Sequence, residues 1–327
     1  MNLARKDTFM DITEIYTQGE KFFQTKEYGF LLGYVETGFV RENDRRVIDG
    51  LTFRQKCIDT HDVSTTCRVQ GVDLSTPVIM SSMTMPIPAF ADDALMQLAR
   101  GLKAAGSLMW TGTPIPNNLA EIASTGVPLA ANVKPFTDRD KVYATLDKVI
   151  EDGITWVGIE IDAGRGTKIV DREMGFDCTP FSFKEIEAIK KRVSVPLVCK
   201  GVLSVEDAKK CVDAGVDIIF VSNHGGHTLD YLPHPFQVMD EIMEIARGKA
   251  EIIVDGGIRR GSDVLKGLAF GASLVGLGRP ILYALAAGGE NGIIDLINGI
   301  TRELARLMCM VGVREPVNVP KEILIGR

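Results

Sequence analysis

The chain has 327 residues, 45% of them hydrophobic, 7% aromatic and 24% charged, with a formal net charge of −6. This is globular composition, long enough for one large domain or two ordinary ones, and its acidic balance gives no general affinity for nucleic acid or an anionic membrane. No apolar run approaches the roughly 20 residues of a spanning helix, and residues 1–14 mix Arg5, Lys6, Asp7, Asp11 and Glu14 where an export signal would be apolar, so a cytoplasmic protein is expected.

Residues 1–75 read as helices and a short hairpin that cover the bottom or one side of the main body of the fold. From there a unit repeats: a short β-branched run, a polar or glycine-rich turn, then an amphipathic segment. Strands are predicted at 77–81, 107–111, 129–133, 156–162, 196–201, 217–222, 251–256 and 273–278. Between them, residues 182–193 start at Ser182 with Glu185 three positions on, a capping box. Residues 205–214 come after Ser204, carry Glu206 and Asp207 in their first turn, and stop at Gly215. Residues 289–311 read as the eighth helix with an extension.

Eight βα units imply a parallel sheet. An open doubly wound sheet would more often carry G-x-G-x-x-G after its first strand, and none is present, so the expectation is an α/β fold of the (β/α)8 TIM-barrel type, one domain over 1–327. The cysteines (Cys57, Cys67, Cys178, Cys199, Cys211, Cys309) lack C-x-x-C spacing and read as reduced, mostly structural thiols. His224 and His227 are separated by two glycines with no ligand cluster beside them, so no metal is expected.

In such a barrel the chemistry sits at the C-terminal ends of the strands. Those positions hold Asp162, Lys200, Ser222-Asn223-His224, Asp255-Gly256-Gly257 and Gly278-Arg279. The turns Asp255-Gly256-Gly257-Ile258-Arg259-Arg260-Gly261 and Gly278-Arg279-Pro280 come after strands seven and eight, where barrels commonly bind phosphate. Glycine lets backbone N–H groups approach the anion, and arginine adds bidentate bonds.

These motifs, with Lys200-Gly201-Val202-Leu203 and Ser222-Asn223-His224-Gly225-Gly226, occur in the order found in the FMN-dependent 2-hydroxy acid oxidases and dehydrogenases, the family of glycolate and lactate oxidases, which the chain resembles as a divergent member. The likeness is dense from about Ser182 to Gly312. Upstream it keeps register at Gly33-Tyr34-Val35-Glu36-Thr37-Gly38 and at Ile161-Asp162. The resemblance implies FMN as cofactor, a small-molecule substrate and a homo-oligomer, tetrameric or octameric. It implies His224 as the general base while hydride or its equivalent passes to flavin N5. Asp162 would orient that histidine, Lys200 would stabilise reduced flavin, and Tyr34 would bond substrate. Arg259 and Arg279, with the backbone of Gly257 and Gly278, would hold the phosphate, and Ser222, Asp255 and Gly256 would also face the cofactor.

The departures fall on the substrate side. His227 stands where the family has an arginine that clamps the substrate carboxylate; a second such arginine has no clear counterpart, with Arg165 and Lys168 near but out of register. Arginine's fork is not reproduced by histidine or lysine. After strand one, Ser81-Ser82-Met83-Thr84 replaces alanine-proline-threonine-alanine and looks more like type 2 isopentenyl diphosphate isomerases, although Met85-Pro86 then replaces that family's Gly-Gly. The serine after strand two appears as Gly112 or Thr113, the glutamine–tyrosine pair after strand three as Asn132 and Lys134, and a strand-four threonine as Glu160. Met83, Thr84, Thr113, Asn132 and Glu160 are therefore expected at the cofactor, and Lys134 and His227 at the substrate. The expected activity is oxidation of a CH–OH group. The alternatives are a non-redox flavin isomerase and a flavin-binding protein without turnover.

Overall fold

A computed structural model describes residues 9–25, 32–85, 87–165, 171 and 174–326. Ile12–Thr25 (α1) and Phe39–Asp49 (α2) precede an antiparallel hairpin of Cys67–Val69 and Val72–Leu74. The barrel strands are then Val78–Met80 (β1), Met109–Thr111 (β2), Leu129–Val133 (β3), Trp156–Glu160 (β4), Leu197–Val202 (β5), Ile218–Val221 (β6), Glu251–Val254 (β7) and Leu274–Leu277 (β8). Neighbours pair in parallel from β2 round to β8, and β8 pairs with β1. At the last seam Met80 N–H donates to the Leu108 carbonyl at 3.1 Å, and Met83 N–H to that of Trp110 at 3.1 Å. The expected (β/α)8 barrel is the fold.

Alternation along the strands produces two interior layers. Ile79, Leu108, Trp110, Ala130, Trp156, Val198, Ile218, Phe220, Ile253 and Leu274 form one buried apolar cluster, joined by Val69 and Leu74 of the hairpin. The hairpin thus closes the N-terminal end. Trp110 meets Phe220 with ring centroids 5.2 Å apart and Trp156 at 6.2 Å, filling the barrel with aromatic volume. Two residues further along seven of the strands, and four further along β4, the inward positions become Ser81, Gly112, Asn132, Glu160, Lys200, Ser222, Asp255 and Gly276. Eight strands give one apolar floor with a polar layer above it.

Ala94–Ala104 (α3), Leu119–Ser124 (α4), Arg139–Glu151 (α5), Phe183–Arg192 (α6), Val205–Asp213 (α7), Met239–Ala246 (α8) and Gly261–Ala269 (α9) surround the barrel. The Ser182 capping box on α6 and the Ser204 cap on α7 form as the sequence predicts. The last helix differs. It begins directly after β8, as Arg279–Val311 (α10), and is broken at Gly288 and Gly289, the latter at φ 56°. The predicted start at 289 is therefore the second arm of a bent helix. Strand four also stops early, at Glu160, because 161–163 tighten into a 3₁₀ turn that swings Asp162 out of the ladder.

Candidate active site

A cleft with an inner volume of about 240 Å³, partly open to solvent, lies over the polar layer. Its floor includes Ser81, Glu160, Lys200, Asp255 and Gly276, and its walls include Met83, Thr84, Thr113, His224, His227, Gly257, Arg259, Gly278 and Arg279. Gly276 is required there. A Cβ on it would strike the Ser81 hydroxyl and press on Asp255 at 3.2 Å and Phe220 at 3.3 Å.

His224 lies just past β6 at φ 55°, a conformation costly for most side chains. The Ser222 hydroxyl holds it by accepting the His224 N–H at 3.0 Å, and the Asn223 side chain accepts the Gly225 N–H at 3.1 Å. The imidazole Nδ1 lies 2.6 Å from Asp162 Oδ2. With the Nδ1 proton donated to Asp162, the basic lone pair sits on Nε2. Gly201 permits this approach: it has φ 96°, and a Cβ there would collide with the Asp162 carboxylate.

Lys200 is 1% exposed and lines the cleft. Phe220 lies 5.6 Å below its ammonium group, and no carboxylate among the described residues lies within ion-pair distance. Lys134 is equally buried but fully engaged, at 3.1 Å from Glu160 and 2.8 Å from Asp171. Burial alone would lower its pKa; the two carboxylates reverse this, and the net direction is up. Lys134, expected at the substrate, lines the cleft with its charge paired to Glu160 and Asp171.

The glycine turn after β7 is organised from behind. Asp263 Oδ2 accepts the backbone N–H of Arg259 at 2.9 Å and of Arg260 at 3.3 Å, and pairs with Arg45 at 2.9 Å. Arg45 also donates to the Gly257 carbonyl at 2.8 Å, and the Tyr16 hydroxyl donates to that of Arg259. Arg279 opens α10 and donates to the carbonyls of Gly225 (2.9 Å) and Gly33 (3.2 Å); burial lowers its pKa. A Cβ on Gly278 would meet nothing within 4 Å. The helix start is therefore open to the cleft.

His234 supports the same turn. Its Nε2–H donates to the Gly256 carbonyl at 3.1 Å, while Nδ1 accepts the Phe236 N–H at 3.1 Å. Burial pushes its pKa down to about 4 from 6.5. Because the unfolded chain takes up this proton first, its contribution is present above pH 6.5 and is lost as pH falls towards 4. At about 1.36 kcal/mol per unit the full loss is about 3 kcal/mol. Urea unfolding at neutral pH and at pH near 4.5 should show it, and a His234→Gln variant losing as much stability on acidification would contradict it.

Not every predicted residue faces the cleft. The Tyr34 side chain lies against Gly38, is 42% exposed, and does not line the cleft. Asn132 and Ser222 are buried supports: Asn132 Oδ1 accepts the Trp110 indole N–H at 3.0 Å. Thr113 and Thr84 line the cleft with hydroxyls bonded to the carbonyls of Asn132 (3.1 Å) and Gly112 (2.8 Å). Arg165 does not line the cleft, and Lys168 lies outside the described residues. Sequence reasoning misses Tyr16, Arg41, Asp44, Arg45 and Asp171, all cleft residues. Asp44 takes a 2.6 Å hydrogen bond from Asn223, and burial pushes its pKa up to about 7.

Among the described residues, the buried polar atoms without a partner include Asp255 Oδ1 and Arg279 Nε on the cleft and Asn132 Nδ2 and Trp156 Nε1 deeper in the barrel. With the buried Lys200, Asp255 and Arg279 supply an acceptor, a donor and a cation around the cleft. Such a set fits a large polar cofactor with an anionic end.

Comparison with known proteins accords with this geometry. The profile of the FMN-dependent dehydrogenase family matches residues 20–180 and 170–325. A peroxisomal (S)-2-hydroxyacid oxidase of Arabidopsis thaliana is 47% identical over 137 residues, 42% of this chain and 38% of that protein. Over 98% of the chain and 96% of its own length, an L-lactate oxidase of Lentilactobacillus hilgardii is 28% identical. A crystal structure of mandelate oxidase superposes with a TM-score of 0.89 at 26% identity, covering 98% of this chain and 99% of its own.

Proposed function

The chain belongs to the FMN-dependent dehydrogenase family and takes FMN as its cofactor, and from that premise we propose that it oxidises the CH–OH group of a small 2-hydroxy acid or related alcohol with His224 as the base. The observation that carries the reading is the 2.6 Å contact of His224 Nδ1 with Asp162 on the wall of a cleft that also holds the buried Lys200.

FMN, when bound, supplies the two-electron acceptor. The residues do the rest. His224 receives the hydroxyl proton at Nε2, and Asp162 stabilises the imidazolium that results. Lys200 would offer a desolvated, preorganised cation to the negative charge of the reduced cofactor, with no solvent reorientation needed. Arg259 and Arg279, with the N–H groups of Gly257 and Gly278, would hold the phosphate; Asp255 Oδ1 is suited to one of the cofactor's remaining polar groups. The isomerase and non-catalytic alternatives draw no support from relatives that are oxidases of glycolate, lactate or mandelate. The reading extends, by resemblance, to a homo-oligomer, which light scattering would test.

Anaerobic mixing of the flavin-loaded protein with glycolate, (S)-lactate and (S)-mandelate in turn should bleach the flavin with at least one of them. If none does so while dithionite still reduces the bound flavin, the proposal fails.

A further inference from the structure

Glu160 occupies the end of β4, inward-facing in step with Trp156 and Gly158, at the position where the resembling family carries threonine. Its Oε2 is held by Lys134 Nζ at 3.1 Å, and Lys134 is anchored in turn by Asp171 at 2.8 Å. That fixes the carboxylate, and its other oxygen, Oε1, lies 4.0 Å from His224 Nε2. Side chains of Lys134, Glu160 and Asp171 are only 2–3% exposed. The distance exceeds a hydrogen bond, so Glu160 does not occupy the basic lone pair. In a buried setting, however, a carboxylate at 4 Å interacts strongly with an imidazolium.

We propose that Glu160 is a positioning residue for His224: a second carboxylate which, with Asp162 on the opposite nitrogen, brackets the imidazole and raises its affinity for the proton it takes up. This rests on the assignment of His224 as the base. Among the described residues, Asp162 and Glu160 face the histidine from the end of β4, and Lys200 on β5 lines the same cleft. Arg279 approaches from the start of α10, through its bond to the Gly225 carbonyl, and His227 lies further round the same loop. Lys134 and Asp171 stand behind Glu160. Lys200 and Arg279 oppose the effect, but they are unchanged when Glu160 alone is varied, so the difference between variants isolates its charge.

The test is the titration of His224 in ¹⁵N-histidine-labelled, FMN-loaded protein, read by NMR in wild type, Glu160→Gln, Glu160→Thr and Glu160→Asp. The His224 signal is assigned by its loss in His224→Asn. Both neutral variants should lower the midpoint by about one unit, a roughly tenfold loss of proton affinity, whereas Glu160→Asp should stay nearer wild type. With any hydroxy acid that bleaches the flavin, the acidic limb of kcat/KM should move the same way, since less acidic conditions are then needed to keep His224 neutral in wild type than in the variants. Two neutral variants titrating with the wild-type midpoint would overturn the proposal. The NMR measurement requires no turnover, so it stands even if no substrate is oxidised, and Glu160→Thr supplies the reading if Glu160→Gln does not fold.

Discussion

Replacing His224 with asparagine is expected to slow anaerobic flavin bleaching by roughly 10²–10⁴-fold, the usual worth of a positioned general base, while FMN stays bound. Asparagine is the informative choice because of the backbone. His224 sits at φ 55°, and asparagine is among the few residues at ease there, so the loop that Ser222 and Asn223 hold should keep its shape. Its amide can still reach towards Asp162, but it offers no basic nitrogen. The phosphate turns, built from Asp263, Arg45 and Arg279, do not touch the imidazole and should be unaffected. Stopped-flow bleaching gives the rate, and flavin fluorescence on titrating FMN into apoprotein gives the affinity. A bleaching rate within tenfold of wild type would remove His224 from the base role. A loss of FMN binding of similar size would make the residue structural.

Much of this is legible in the sequence for a local reason. Barrel strands are buried on both faces, so they read as continuous β-branched runs, and all eight fall within or beside the predicted segments. The glycine turns after β7 and β8 are legible because their chemistry is confined to seven and three consecutive residues. Strand four reads too long because Ile161 and Asp162 continue the apolar–polar rhythm; only the tertiary demand of the His224 contact turns them into a 3₁₀ segment. The N-terminal contribution is illegible. Asp44 meets Asn223 across 179 positions and Arg45 meets Gly257 across 212, and on α2 both look like ordinary charges of a solvated helix face. Lys134 is legible as a cleft residue but not as a paired one. Its carboxylate partners lie 26 and 37 positions away, and no spacing rule links them.

That paired lysine gives the second large expectation. Lys134→Met should destabilise the protein by about 3–5 kcal/mol, the cost of removing one partner from a buried ion network. Methionine fills nearly the same volume, so lost packing is a minor part. The damage comes from Glu160 and Asp171, which remain buried without their shared cation and must either stay charged in a low-dielectric site or take up protons. The same physics sets the sign of the remedy. Neutralising both acids in the triple variant Lys134→Met/Glu160→Gln/Asp171→Asn should recover a large part of the loss, because hydrogen-bonding amides are cheaper to bury than carboxylates that have lost their shared cation. Raising pH should deepen the Lys134→Met defect and leave the triple variant indifferent, since only the former holds acids that are forced to ionise. Urea unfolding of all three proteins at two pH values separates these terms. If Lys134→Met is within about 1 kcal/mol of wild type, a value typical of exposed ion pairs, the triad is a surface-like pairing and Lys134 is available to a substrate after all. If the single and triple variants are equally unstable, packing rather than charge is what Lys134 contributes, and the fixed orientation of Glu160 beside His224 loses its physical basis.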